Sequence, residues 1–463
     1  MAREAMLLSQ LFERYVKKTP FAVMSRSLLE RTLTPEALDA LFEEKADSQY
    51  TRELTFSSVV DLMGQVVTSA FPSVRAAYVD KSFDISVSLT SLYNKLQGIE
   101  AEVSAELVRH TGRQLQPLIQ QIGGALPEPV PGYQMHVLDG NNIAASEHRL
   151  GETRDNSAAP LPGKSLCVFR PAYQLVTNIV LCEDGHTQER ALVDPILDLV
   201  EKGSLWVADR NFCFQRFLLG IAAKLGFFVI REHAGLNYKV GSKLRKRGQS
   251  ETGELFEQAI VVEDEEGTKH RWRRIVVKLN KATEDGDWEL AILTNLPKTV
   301  SAIVVSEAYR NRWTIEGGFH DLTTTLDCEI NTLCYPRAAL FVFCVAVMAY
   351  NLQSAIKGVM RSEHGAEKVE NDLSRYFVAG EIGQVYRGMM VALPPEEWAI
   401  FRHMSLTNYV AFLKRLATNV DFERYPKAHR GPKKVKPKRH YDPDHPHVSV
   451  AKLLLARKLK EAG

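Results

Sequence analysis

The sequence predicts an α/β chain, a layered core of strands and helices interrupted by a β-rich stretch and flanked by helical regions on both sides. Three observations predict it. Residues 1 to about 125 carry apolar residues at helical spacing. Beyond the proline-broken stretch at 127–132, short apolar runs alternate with a helical one, the pattern of an α/β layer. From about Leu236 to Leu296 strands and turns follow one another, and helical spacing returns at Ser306.

In order, Thr34-Pro35-Glu36 reads as an N-cap, a proline at the first helical position and an acid in the first turn. A helix is expected from there to about Ala46. Val59, Val60, Leu62, Met63, Val66 and Val67 form an apolar stripe. Ile99 to Ile122 repeats the helical pattern before Gly123-Gly124 stops it. Pro127, Pro129 and Pro131 cannot lie inside an element, so the clearest boundary falls there. After it, Tyr133–Leu138 reads as a strand ending at Asp139, and Tyr173–Cys182 as a second. Leu205–Ala208 is a third, ending at Asp209, and Phe227–Ile230 a fourth, with helical spacing over Gln215–Leu225. Phe256–Val262 and Arg274–Leu279 read as strands of a β-rich insertion, with turns at 265–267 and 284–287. Ala338–Tyr350, the most hydrophobic run, should be a buried helix. The C-terminal end is basic and proline-broken, then closes in a short helix, Ser449–Lys460.

Composition bounds the reading. With 463 residues, 45% hydrophobic and 25% charged, the chain has globular proportions and the length of roughly two to four domains. The net charge of +2 announces no nucleic-acid partner, but its distribution is uneven. Arg424, Lys427, Arg430, Lys433, Lys434, Lys436, Lys438 and Arg439 are uninterrupted by acids. Lys239, Lys243, Arg245, Lys246 and Arg247 form a second cluster, and Arg271, Arg273 and Arg274 a third. Such patches suit phosphate backbones, and a solvated basic tail is the other reading. The six cysteines form no C-x-x-C pair and sit among apolar residues, as reduced thiols of a cytoplasmic protein do. Arg3, Glu4 and Glu13 leave too short an apolar stretch for a signal peptide. Ala338–Tyr350 is too short to span a bilayer, so no membrane association is expected.

The chemistry gathers at acids. Asp139 and Asp209 each end an apolar strand, where a rigid sheet aims functional groups. Carboxylates on neighbouring strands repel unless protonated or neutralised by a cation, and hard oxygen ligands select magnesium or manganese. A third acid would complete a two-metal site with ions roughly 3.5–4 Å apart. Asp also favours turns, so each could merely cap a strand end. Arg312 and Glu316 stand four apart, so on a helix they share a face. Glu316 could hold metal while Arg312 and Tyr309 grip a phosphate, and an ordinary surface ion pair is the alternative. His136, three residues before Asp139, falls on the opposite face of its strand and reads as packing. His148, Arg149 and Arg154 could contact DNA or be solvated loop charges.

The order Asp139, Asp209, Glu316, with Y-x2-R-x3-E at Tyr309, Arg312 and Glu316, resembles the DDE transposases of bacterial insertion-sequence family four. The resemblance runs from the helical N-terminal region to Tyr350-Asn351-Leu352. It implies a ribonuclease-H-like catalytic core interrupted by a β-strand insertion between the second Asp and the Glu, the interval in which 236–296 lies. It implies cut-and-paste transposition: metal-activated water nicks DNA at the element end, and the freed 3′-hydroxyl attacks other phosphodiesters. Asp139, Asp209 and Glu316 would hold two Mg2+ or Mn2+ ions, and Tyr309 and Arg312 would contact phosphates. Members that form a hairpin carry a Trp at the interval that separates Trp288 from Glu316, stacked on a flipped base. Packing in a strand core is the other reading of Trp288. The family signature continues E-x6-K, and this chain has Thr323 there instead of lysine.

The expected organisation is therefore a helical, DNA end-binding region at 1–126 and a ribonuclease-H-like core at 127–235 and 298–378. A β-rich insertion at 236–297 divides that core, and a helical region with a basic tail follows at 379–463. The expected partners are double-stranded DNA, both transposon inverted-repeat ends and target, and a second copy of the chain in the active complex. Lys243, Arg245, Lys246, Arg247, Lys433, Lys434 and Lys436 are expected on DNA. The location expected is cytoplasmic, at the nucleoid when DNA is bound. A metal-dependent nuclease of the same fold and a non-catalytic DNA-binding derivative are the rival functions.

Overall fold

The computed structural model describes residues 8–49, 53–82, 85–143, 150–153, 160–283, 286–328, 330, 333–427 and 447–462. Seven helices come first among these: α1 (Gln10–Lys18), α2 (Pro20–Thr32), α3 (Pro35–Lys45), α4 (Phe56–Val67), α5 (Val74–Asp80), α6 (Leu89–Gly98) and α7 (Ala101–Ile122). Local chemistry sets their ends. The hydroxyls of Ser9, Thr34, Thr55, Ser73 and Ser88 each accept a backbone N–H that the first helical turn leaves without a partner. Gly123 closes α7 with φ of 78°, a left-handed cap that a residue with a Cβ rarely adopts.

The strands follow: β1 (Gln134–Ile143), β2 (Pro160–Leu161), β3 (Gly163–Arg170) and β4 (Leu175–Cys182). The short helix α8 (Asp194–Asp198) then leads to β5 (Ser204–Ala208), α9 (Gln215–Ala223) and β6 (Phe227–Arg231). Next come β7 (Lys239–Val240), β8 (Arg245–Gln249), β9 (Gly253–Glu263), β10 (Lys269–Leu279) and β11 (Glu289–Thr294). All but β2 join one ten-stranded sheet in the order β4-β3-β1-β5-β6-β11-β10-β9-β7, with β8 also against β9. β1, β5 and β6 run parallel, and β3 and β4 add antiparallel strands at one side. β11 pairs antiparallel with β6, so the strands of 236–296 continue the sheet rather than leaving it.

Strand alternation divides the two faces. Met135 and Val137 of β1, with Leu205 and Val207 of β5, pack into the larger core shared with the helices. Leu138, Trp206 and Ala208 face a second core formed with Phe217, Leu218 and Ile221 of α9.

The remaining elements are α10 (Ala302–Arg310), α11 (Trp313–Thr324), α12 (Pro336–His364), α13 (Ala366–Asp372), α14 (Arg375–Ala392), α15 (Pro395–His403) and α16 (Leu406–Thr418). β12 (Val448–Ser449) then pairs with β2, and α17 (Val450–Ala462) ends the description. The run expected as a helix at Ala338–Tyr350 is only the first half of α12. Its 29 residues are long and apolar enough to cross a membrane, yet its most apolar window is wholly buried among α2, α4, α6, α7, α16, β3 and β4. The polar residues after Tyr350 lie inside it, because Asn351 finds a backbone partner in β4.

Candidate active site

The strand expected to end at Leu138 continues through Asp139 to Ile143. The cause is β3, which was not read in the sequence: it pairs with β1 out to Ile143, whereas parallel pairing with β5 stops at Leu138 opposite Ala208. Asp139 therefore stands on a continuing strand at the point where its parallel neighbour ends. Asp209 is the next residue after β5 and caps a short 3-10 turn, its Oδ1 accepting the Asn211 N–H at 2.8 Å. Strand parity puts both side chains on the face of the larger core.

Glu316 arrives on α11. The Tyr309-to-Glu316 motif is not one uninterrupted helix: α10 ends at Arg310, Asn311 and Arg312 form a turn, and α11 begins at Trp313. Arg312 keeps helical dihedrals within that turn, so the four-residue spacing still brings it to Glu316. Its Nη1 donates to Asp139 Oδ2 at 2.8 Å and its Nη2 to Glu316 Oε1 at 2.7 Å. A single guanidinium thus ties the strand acid to the helix acid. Only 8% of Arg312 is exposed, and its Nε–H is buried without an acceptor. Tyr309 is buried, and its ring lies 5.9 Å from the Arg312 carbon.

The carboxyls sense one another. Burial pushes Asp139 up to about 7, the Arg312 cation pulls it back, and the negative charges of Asp209 and Glu316 push it up again. Burial likewise raises the Tyr309 phenol, against the Arg312 and Arg231 cations. Among the described residues no three His, Cys, Asp or Glu side chains are gathered closely enough to hold a metal ion. In that arrangement Asp139 and Glu316 share one cation, the Arg312 guanidinium, and the Asp209 charge acts on Asp139; three oxygen-donor carboxylates are the ligand chemistry that a hard divalent ion takes.

Several neighbours escaped the sequence reading. Glu189 lies so close to Gly140 that a Cβ there would stand 2.1 Å from its Oε1, and Asn211 donates to its Oε2 at 3.3 Å. This fourth acid carried no local signal, since only chain closure brings it to the strand. Arg231, at the end of β6, binds Asp287 at 2.7 Å and so secures the residue before Trp288.

Other expectations divide. Trp288 is 62% exposed just before β11, so it is not a strand-core residue. Thr323 is exposed, and its hydroxyl donates to the carbonyls of His320 and Phe319 on its own helix. His136 lies on the second core's side, stacked 4.8 Å from Trp206, and burial with the Arg170 cation lowers it to about 3. Lys243, Arg245, Lys246 and Arg247 are exposed at the outer sheet edge, with Lys246 paired to Glu254 and Arg247 to Glu257. The cluster at 271–274 is no phosphate-binding patch as a whole. Arg273 is buried on Glu257 and on the carbonyls of Leu296, Pro297 and Val300, and Arg274 is paired with Glu232. His148, Arg149, Arg154, Lys433, Lys434 and Lys436 lie outside the described residues. Of the six cysteines, five are buried and Cys182 is half-buried.

Residues 137–352 match the family model for the transposase DDE domain, a span that holds Asp139, Asp209, Trp288, Arg312 and Glu316. By this match residues 137–352 are a transposase DDE domain, the enzymatic part of proteins of that type. Domains of this transposase type use divalent metal ions. No curated protein matches the chain. Among solved structures it is similar to a piggyBac transposase synaptic complex with hairpin DNA, at 9% identity and a TM-score of 0.37. That likeness covers 92% of this chain and 90% of that one.

Proposed function

We propose that the chain is a transposase that catalyses cut-and-paste movement of an insertion sequence of family four, with Asp139, Asp209 and Glu316 as its catalytic acids. The observation that carries the reading is the meeting of Asp139 and Glu316, 177 positions apart in sequence, on one buried arginine inside a matched transposase DDE domain. The parallel strands β1 and β5, which deliver the two aspartates to one face, support a ribonuclease-H-like core. Two magnesium or manganese ions held by the three carboxylates would supply a nucleophilic water and stabilise the leaving oxygen.

The chain's own residues do the positioning. Tyr309 and Arg312 hold a phosphate of the transposon end, the arginine through paired N–H donors. Trp288, exposed and next to a residue fixed by Arg231, offers its ring to an extruded base, with stacking worth roughly 1–3 kcal/mol. The edge residues Lys243, Arg245, Lys246 and Arg247, with Lys433, Lys434 and Lys436, add phosphate contacts, and two copies of the chain act on paired ends.

Labelled duplex containing an inverted-repeat end tests this. Cleavage followed by joining of the 3′ end to a target is the expected outcome, lost in Asp139→Ala and Glu316→Ala while DNA binding survives. Cleavage without joining would mark a nuclease instead. Unchanged activity in both variants would remove the three-acid assignment.

A further inference from the structure

Arg312 is bound to both carboxylates that a shared metal ion would need. It offers Asp139 and Glu316 a positive charge and two directed hydrogen bonds, at 2.8 and 2.7 Å. A metal ion cannot take the same lone pairs while the guanidinium holds them. The arginine's seat is also incomplete, because its Nε–H is buried and has no acceptor. A phosphate, with oxygens enough for two parallel N–H donors and a third, would satisfy the group better than its present partners do. Finally, Arg312 lies in the turn between α10 and α11, its backbone held by the Tyr309 carbonyl and the Ile315 N–H, so any release of the carboxylates is a movement of its long side chain alone.

We propose that Arg312 gates metal loading: it neutralises Asp139 and Glu316 in the DNA-free enzyme and surrenders them when a DNA phosphate draws it away. The inference rests on the reading of these two acids as metal ligands. It gives Arg312 a second task beside gripping phosphate. Metal and DNA then bind cooperatively, because each favours the state in which the arginine has left the carboxylates, and the coupling is reciprocal. A free enzyme so arranged activates no water until DNA is in place.

The experiment is Mn2+ binding to the full chain, read from the electron paramagnetic resonance signal of free Mn2+, so no turnover is involved. Arg312→Met removes the charge at similar length, and Arg312→Gln serves if the first variant melts early. In either, DNA-free Mn2+ affinity should rise about tenfold or more. Adding a duplex carrying the element's end should raise wild-type affinity by a similar factor and leave the variant's unchanged. Placing Asp139→Asn in the Arg312→Met background should abolish the gain. If Arg312→Met binds Mn2+ no better than wild type while Asp139→Asn weakens wild-type binding, the gate is wrong and the acid assignment stands. If the gain persists without Asp139, the assignment itself fails.

Discussion

The Asn351 side chain closes two hydrogen bonds on a single residue of the sheet: Oδ1 accepts the Val176 N–H at 2.9 Å, and Nδ2 donates to the Val176 carbonyl at 2.8 Å. Val176 sits beside the irregularity in β3–β4 pairing, on the edge strand, where its backbone has no further strand to bond. An amide on the central helix takes the place of that missing strand, which explains a fully buried polar residue in an otherwise apolar element.

Asn351→Leu should therefore cost on the order of 2–4 kcal/mol, since it leaves a buried N–H and a buried carbonyl without partners. Urea denaturation of wild type and variant checks this. Asn351→Gln, which keeps the amide but carries one methylene too many for the same seat, should recover only part of the loss.

Acid should loosen the junction of α12 with α13. Burial would raise Glu370, but the Lys357 and Arg361 cations outweigh it and hold the carboxyl down at about 2. Lys357 itself is drawn down to about 7 by burial and by the Arg375 and Arg361 cations, so below neutrality it is charged and the acid limb belongs to Glu370. A carboxyl depressed in the folded state contributes stability above its ordinary value of 4.5 and loses it as pH falls from there through about 2. Unfolding free energy measured across that window should drop steeply in wild type and less steeply in Glu370→Gln.

Two arginines of the outer sheet, 28 positions apart, should behave oppositely. Arg273→Ala strips Glu257 and three carbonyls of a buried partner and should destabilise by about 3–5 kcal/mol. Arg245→Ala, at an exposed position, should leave the melting temperature within a degree or two. It should instead lower the slope of log affinity for DNA against log salt by about 0.9. A salt titration of binding beside a thermal melt separates the two.

Thr323→Lys places a charge where the signature that this chain resembles has one. Because the threonine hydroxyl only back-bonds to its own helix, its loss disturbs nothing else. The variant should bind transposon-end DNA more tightly, with a salt slope steeper by about 0.9, at unchanged stability. Equal affinity and equal slope would mean that this face of α11 does not meet the phosphate backbone.

What the sequence disclosed was whatever chemistry is local. The Thr34 cap, the Gly123 stop and the run ending at Asp209 are decided within a few residues, and each stands where it was read. β3 went unread because its continuous buried run is defined by the two strands it lies between. The same missing strand misplaced the end of β1 by five residues, from Leu138 to Ile143. Glu189 and Arg231 reach the site through contacts between distant segments, which no spacing rule records. Trp288 stood one residue before a strand, and sequence pattern alone does not distinguish an exposed residue there from a core one. Arg273 looked like surface charge until its carbonyl partners came into view.

The antiparallel pairing of β11 with β6 has a mechanical meaning. Everything from β7 to β11 hangs on the catalytic sheet as a cantilever welded along a strand, with no swivel at its root. Bending at that joint would break backbone hydrogen bonds. Excising the cantilever would lay bare the flank of a buried parallel strand, a template for aggregation. The arm beyond β6 is thereby tied to the core that carries it.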